Sequence, residues 1–142
     1  MRTTRRHLVA GFAAGLLLPW VRLGRAWGLT GPGPHPVPRP GITAEKVATD
    51  AQLADFPEAA DAFALVREIP QVVDGIRCHC GCSGAPGYYS LLTCYEGEHA
   101  MAMHCAICQG QGRLAFRLHQ SGRTLDQIRA AIDARFVSEG GE

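Results

Sequence analysis

The six cysteines of this chain all lie between Cys78 and Cys108, and their spacing limits what it can fold into more than any other feature. They run Cys78-x-Cys80-x-Cys82, then eleven residues to Cys94, then ten residues to Cys105-x-x-Cys108. The triplet lies in Arg77-Cys-His-Cys-Gly-Cys-Ser-Gly-Ala-Pro-Gly87. Three glycines and a proline there prevent a regular helix, so the segment reads as a loop. An extended chain puts the three sulfurs on one side, and a turn at Gly81 draws them together. Cys105 and Cys108, three residues apart, share one face of a helix.

Dense thiolates are good soft ligands. Thiolate with imidazole suits zinc or copper, and thiolate alone suits Cu(I), zinc or an iron–sulfur cluster. The expected ligands are Cys78, Cys80, Cys82, Cys94, Cys105 and Cys108, with His79 and His104 as auxiliaries. Six thiolates exceed one tetrahedral shell, so either two metals share sulfurs or one pair stays free. Two other chemistries fit the same residues. One is a thiol–disulfide centre at Cys105 and Cys108, with His104 lowering a thiol pKa. The other is a set of structural disulfides, for which six cysteines allow 15 pairings. Tight local clustering argues against staples, because short loops remove little chain entropy. His99 and His119 read as helix-end residues, Met101 and Met103 as packing, and Tyr88 and Tyr89 as cover for the site. There is no placed Ser–His–Asp set or catalytic carboxylate pair. Gly110-Gln-Gly112 is too short for a phosphate loop.

The rest of the chain supplies context. Residues 1–26 read as an export signal: a basic start, then an apolar run from Leu8 to Leu18, about half of the ~20 residues that span a bilayer. Thr4-Arg5-Arg6-His7-Leu8-Val9 has the form of a twin-arginine translocation signal, and Gly24-Arg25-Ala26 offers small residues for cleavage. This predicts a periplasmic or otherwise extracytoplasmic protein that meets the membrane only through that segment. Such a protein folds with its thiols reduced or metal-bound before it meets oxidant. Beyond residue 26 the chain carries nine basic and thirteen acidic residues, a net −4. That excludes a nucleic-acid binder, which needs a positive surface. The expected partners are the metal ion and an exported thiol or metalloprotein. Residues 27–42 alternate proline from Pro32 to Pro40 and read as an extended linker with a solvated His35.

Residues 43–138 read as an all-α domain of about four helices with the cysteine loop inserted. Thr43 caps a first helix running to Phe56. Pro57 opens a second to about Glu68, with Phe63, Val66 and Ile69 inward, and Pro70 stops it. Gln71–Ile76 is a short helical piece or turn closed by Gly75. A long helix follows from about His99 to Ser121, with Ile107, Leu114 and Leu118 on its apolar face and Gly122 just beyond its end. Thr124-Leu-Asp-Gln127 forms a capping box for a last helix that buries Leu125, Ile128, Ile132 and Phe136. A core of this size gains from a metal or disulfides.

Taken together, Cys78-His-Cys-Gly-Cys82, the lone Cys94, the His/Cys-x-x-Cys pair and Gly122-Arg-Thr-Leu-Asp-Gln-Ile-Arg-Ala-Ala-Ile-Asp-Ala-Arg-Phe136 resemble the PCYCGC-motif family, also called the CYCXC (seleno)proteins. The resemblance covers about residues 68–137. It implies an exported or lipid-anchored bacterial protein with metal-binding or thiol chemistry, and the family's selenocysteine members imply a reactive chalcogen. Arg77 stands where the motif has proline, and His79 where it has tyrosine. His104-Cys-Ala-Ile-Cys-Gln-Gly-Gln111, with Gly122, Ile128-Arg129 and Arg135-Phe136, is also similar to the thiol subunit of the cytochrome c maturation haem lyase. That family reduces an apocytochrome through Cys-x-x-Cys. The triple-cysteine loop has no counterpart there.

Overall fold

A computed structural model describes residues 33–136. The expected export signal at 1–26, the first residues of the expected linker, 27–32, and the tail from residue 137 lie outside the described residues. Four α-helices form: α1 (Ala60–Glu68), α2 (Pro70–Asp74), α3 (Ala106–Gln120) and α4 (Leu125–Phe136). Single 3-10 turns at Cys82–Gly84, Leu92–Tyr95 and Met101–Met103 lie between α2 and α3. Among the described residues there is no strand, only one antiparallel bridge between Val47 and Glu96. The domain is all-α.

That bridge accounts for one departure from expectation. Residues 43–55 form turns, not the helix predicted from Thr43 to Phe56. The Ala48 N–H donates to the Tyr95 carbonyl (3.0 Å), and the Gly97 N–H donates to the Lys46 carbonyl (2.9 Å). Backbone groups committed to that pairing are lost to an i to i−4 ladder. One i to i−4 bond of the helix survives, from the Leu53 N–H to the Thr49 carbonyl (3.1 Å), where Thr49 and Gln52 also bond reciprocally (2.8 and 3.4 Å).

α1 begins three residues after Pro57, and α2 follows it directly with Pro70 as its first residue. Ile69 between them leaves the helical region (φ −131°, ψ 44°), as expected of a residue before proline. α3 starts at Ala106, later than the predicted His99. The 3-10 turn at Met101–Met103 intervenes, and the Gln109 side chain satisfies the Ala102 carbonyl (2.8 Å). Cys105 therefore holds extended backbone (φ −109°, ψ 105°). α4 opens on the expected capping box: the Thr124 N–H donates to Gln127 Oε1 (3.1 Å), and the Gln127 N–H donates to Thr124 Oγ1 (3.3 Å).

The core gathers Phe63 and Val66 of α1, Val73 of α2, Leu91, Leu92 and Tyr95 of the middle turns, and Ile128 and Ile132 of α4. Phe63 and Tyr95 meet edge to face, with ring centroids 4.8 Å apart. α3 turns a different face inward than its apolar residues predict. Cys108, Gln109, Gln111, Gly112 and Ala115 are buried, while Ile107, Leu114 and Leu118 are half-buried. The reason is close approach. A Cβ on Gly112 would collide with the Tyr95 hydroxyl and come within 2.9 Å of Val66 Cγ2. With glycine there, the Tyr95 hydroxyl reaches the Cys108 carbonyl and donates to it at 2.7 Å.

Candidate metal centre

Three separate pieces of chain deliver sulfur to one place. Cys78 follows Ile76 as the chain leaves the core, and both are buried. Gly81 then turns the chain in the left-handed region (φ 87°), which a side chain disfavours. This presents Cys80 on one side of the bend and Cys82, at the start of a 3-10 turn, on the other. Cys94 comes from the Leu92–Tyr95 turn, and Cys108 from the first turn of α3. The five sulfurs lie within 4.8 Å of one another. The short contacts are Cys80–Cys82 at 2.9 Å, Cys82–Cys94 at 3.1 Å, Cys78–Cys80 at 3.2 Å, Cys78–Cys108 at 3.4 Å and Cys80–Cys108 at 3.5 Å. No disulfide links any of them. Cys78, Cys94 and Cys108 are buried, and Cys80 and Cys82 are half-buried.

The structure does not bring the other three predicted residues into this group. Cys105 is free and half-buried, and its sulfur is not among the five. The expectation of a shared helical face fails because Cys105 precedes the helix in extended backbone. The Cys108 sulfur meets Cys78 and Cys80 instead. His104 is exposed and packs edge-on against Phe56, centroids 4.5 Å apart. His79, between two of the gathered cysteines, turns away from them. Its ring is 2% exposed, and its Nε2 meets Asp133 Oδ1 at 2.9 Å. Its Nδ1 faces the Arg77 carbonyl (3.1 Å) and Gln111 Nε2 (2.5 Å). The gathered donor set is thus all sulfur, without imidazole.

Several residues that fix the loop carry no sequence signal of their own. Gln111, one turn beyond Cys108 and fully buried, clamps it with an amide. The His79 N–H donates to Gln111 Oε1 (3.1 Å), and Gln111 Nε2 donates to the Arg77 carbonyl (3.2 Å). Its i+3 spacing from Cys108 is the one hint the sequence holds. Asp133 accepts from His35 as well as from His79. The Arg77 N–H donates to His35 Nδ1 (3.0 Å), which leaves the proton on Nε2 to reach Asp133 Oδ1 (3.0 Å). His35 is therefore held against the domain and not solvated. Tyr88 is half-buried beside the cysteine loop, and its phenol pKa is raised first by burial and then by the nearby cysteines, Cys94 foremost. Tyr89 turns instead to the proline-rich segment, where its hydroxyl donates to the Val37 carbonyl (2.5 Å).

The sulfurs share charge unequally. Cys80 is pushed far down, first by its hydrogen bond with Cys108 and then by Cys78. Cys78 is also lowered, chiefly by Cys108. Cys108 is pushed far up by the same bonds to Cys78, Cys80 and Cys94, and by burial. Burial, then Cys80, raises Cys82. For Cys94, the lowering by Cys108 is outweighed by Cys78, Cys80 and burial, so it rises. The contacts within the cluster thus favour charge at Cys80 and Cys78 over Cys82, Cys94 and Cys108. Five thiolates this close cannot coexist without a compensating cation.

The group fits a soft metal. Zinc–sulfur bonds of about 2.3 Å place tetrahedral sulfurs about 3.8 Å apart, inside the span over which these five lie. Hard cations take oxygen ligands, and no oxygen belongs to this set. No family model, curated protein or solved structure matches the chain.

Proposed function

We propose that this chain is an exported protein that binds a soft metal ion, Cu(I) or zinc, through Cys78, Cys80, Cys82, Cys94 and Cys108. The observation that carries the reading is five free thiols from three chain segments within 4.8 Å of one another. Folding has already met the entropic cost of assembling them, so binding has only to displace protons. The all-sulfur set supports copper or zinc over harder ions. The paired Arg5-Arg6 ahead of an apolar run supports delivery across the membrane by the twin-arginine route to the periplasm. The likeness to the PCYCGC-motif proteins supports the same class. An exported thiol or metalloprotein would then supply or receive the ion.

The test is metal titration of fully reduced protein, with bound metal and released protons counted together. Serine at Cys78, Cys94 or Cys108 lowers affinity or stoichiometry, while Cys105→Ser leaves both unchanged. Metal should also raise the melting temperature, by about 4 kcal/mol of stability for a nanomolar site at micromolar free ion. No uptake of either metal by reduced protein would sink the proposal.

A further inference from the structure

The sulfur cluster has an odd number of members, and its contacts are not equivalent. Cys94 meets Cys82 at 3.1 Å, and these two are far enough apart in sequence to close an ordinary loop. Of the remaining three, Cys78 and Cys80 are separated by one residue. A disulfide between cysteines one residue apart, Cys78–Cys80 or Cys80–Cys82, closes a ring too short for relaxed geometry despite their contacts of 3.2 and 2.9 Å. Cys108 therefore pairs with one of them. It lies 3.4 Å from Cys78 and 3.5 Å from Cys80. Burial separates the two choices: Cys78 and Cys108 are both enclosed at 1% and 0% exposure, whereas Cys80 is half-buried. Cys80 touches Cys78, Cys82 and Cys108, so it borders both pairs and belongs to neither.

We infer that the cluster is a redox gate on its own metal site, in which oxidation closes Cys78–Cys108 and Cys82–Cys94 and leaves Cys80 as the one free thiol. The inference rests on the metal-binding reading. Each closure consumes one molecule of a disulfide oxidant. The half-buried thiolates, Cys82 and Cys80, each attack an oxidant to give a mixed disulfide and one thiol. Cys94 and Cys108 then displace the second thiol as the S–S bonds form, and Cys78 displaces Cys80 from Cys108, which closes the enclosed pair and frees Cys80. Four cysteine sulfurs are oxidised, two oxidant disulfides are reduced to four thiols, and the four protein protons pass to those thiols. One sulfur remains for a metal that took several, so the ion leaves. Re-entry requires a dithiol reductant. One molecule attacks the half-buried Cys82 sulfur, expels Cys94 as thiolate and is released as its own disulfide; a second reduces Cys78–Cys108 after the freed Cys80 thiolate exchanges into it, so two dithiols restore four thiols. Bound metal blocks the oxidation, since a coordinated thiolate is neither free nor close enough to its partner to react.

The experiment treats metal-free, reduced, full-length protein with oxidised glutathione, then alkylates it and maps the peptides by mass. Zinc and Cu(I) titrations are run on the reduced and oxidised forms. The expected result is two disulfides, Cys78–Cys108 and Cys82–Cys94, with alkylation confined to Cys80 and Cys105. Metal affinity falls at least tenfold, and zinc-loaded protein oxidises at least tenfold more slowly. Cys80→Ser still forms Cys82–Cys94 but closes Cys78–Cys108 at least tenfold more slowly, and Cys94→Ser leaves Cys82 open to alkylation. Other pairings, consumption of Cys80, or undiminished affinity after oxidation overturns the gate while leaving the metal site standing. Failure of the reduced protein to take up either metal removes both.

Discussion

Replacing Gln111 with leucine isolates the frame of the site from its ligands. Gln111 touches no sulfur among the hydrogen bonds of the cluster, yet it accepts from the His79 N–H and donates to the Arg77 carbonyl, on either side of Cys78. Leucine fills similar volume and keeps helix propensity; the His79 imidazole loses its 2.5 Å contact with Gln111 but keeps Asp133, so the main cost falls on the two backbone bonds. Each leaves a backbone group without its partner, at about 1–3 kcal/mol per group when buried. Water can reach the loop side of the pair, so the lower half applies: about 3 kcal/mol in all. For a domain of this size that is a fall in melting temperature of about 12–20 °C. If half the loss appears as disorder of Arg77–Cys80 in the folded, metal-free protein, metal must reorder that segment, and its affinity falls about tenfold. Calorimetry with and without zinc reads the first number, and competition with a chelator of known affinity reads the second. A variant with wild-type melting temperature and wild-type affinity would refute the argument that an amide on α3 sets the loop.

Three further outcomes are expected. Gly112→Ala forces a methyl against Tyr95 and Val66; overpacking of about 2 kcal/mol exceeds the gain of about 1 kcal/mol in helix propensity, and an unchanged or raised melting temperature would refute it. Asp74 is buried, and burial, which alone would raise its pKa, is outweighed by hydrogen bonds from the Arg39 side chain and backbone and from Ser90, so its pKa is lowered. Its contribution is therefore complete above the unfolded carboxyl value of about 3.9 and is lost as pH falls through the folded value. Melting curves from pH 7 to pH 2 should drop less steeply below about pH 4 in Asp74→Asn than in wild type, and equal slopes would contradict the assignment. Changing Arg5 and Arg6 together to lysine should hold precursor in the cytoplasm, and normal export of that variant would reject the twin-arginine reading.

Features decided by neighbours in sequence were readable in advance, and those decided across the fold were not. The capping box at Thr124 and the stripe Ile128, Ile132, Phe136 are short-range signals, and α4 follows them. Pro70 likewise ends α1 whatever surrounds it. The segment 43–56 has helical spacing of its own but loses the helix to hydrogen bonds with residues nearly fifty positions away. α3 shows the same limit. Its apolar residues point to Ile107, Leu114 and Leu118, but close packing against Tyr95 and α1 selects the face with the smallest side chains, Gly112 and Ala115. The cysteine triplet announced a soft-ligand site. Cys105 could not be separated from Cys108 without knowing that the helix begins between them, nor His79 from the ligands without seeing Asp133.

Asp133 also joins the site to the segment expected as linker. His35, Pro36, Val37 and Arg39 are extended, as the alternating prolines require, yet each makes a specific contact. His35 meets Asp133 and the Arg77 N–H. The Pro36 carbonyl accepts from Arg129 at 2.7 Å, and that same guanidinium reaches the Gly75 carbonyl at 2.8 Å. Arg39 forms the ion pair with buried Asp74 at 2.7 Å, and Asp74 in turn accepts from Ser90 Oγ at 2.7 Å. Asp74, Gly75 and Arg77 lead into the cysteine loop and Ser90 precedes the turn that carries Cys94, while Arg129 and Asp133 reach the same segment from α4. Prolines limit the conformations the segment can lose on docking, so a few polar contacts suffice to hold it. The proline-rich stretch thus belongs to the frame that positions Cys78 and Cys94. A backbone N–H from Arg77, given to an imidazole at position 35, links the two ends of that frame without occupying any sulfur.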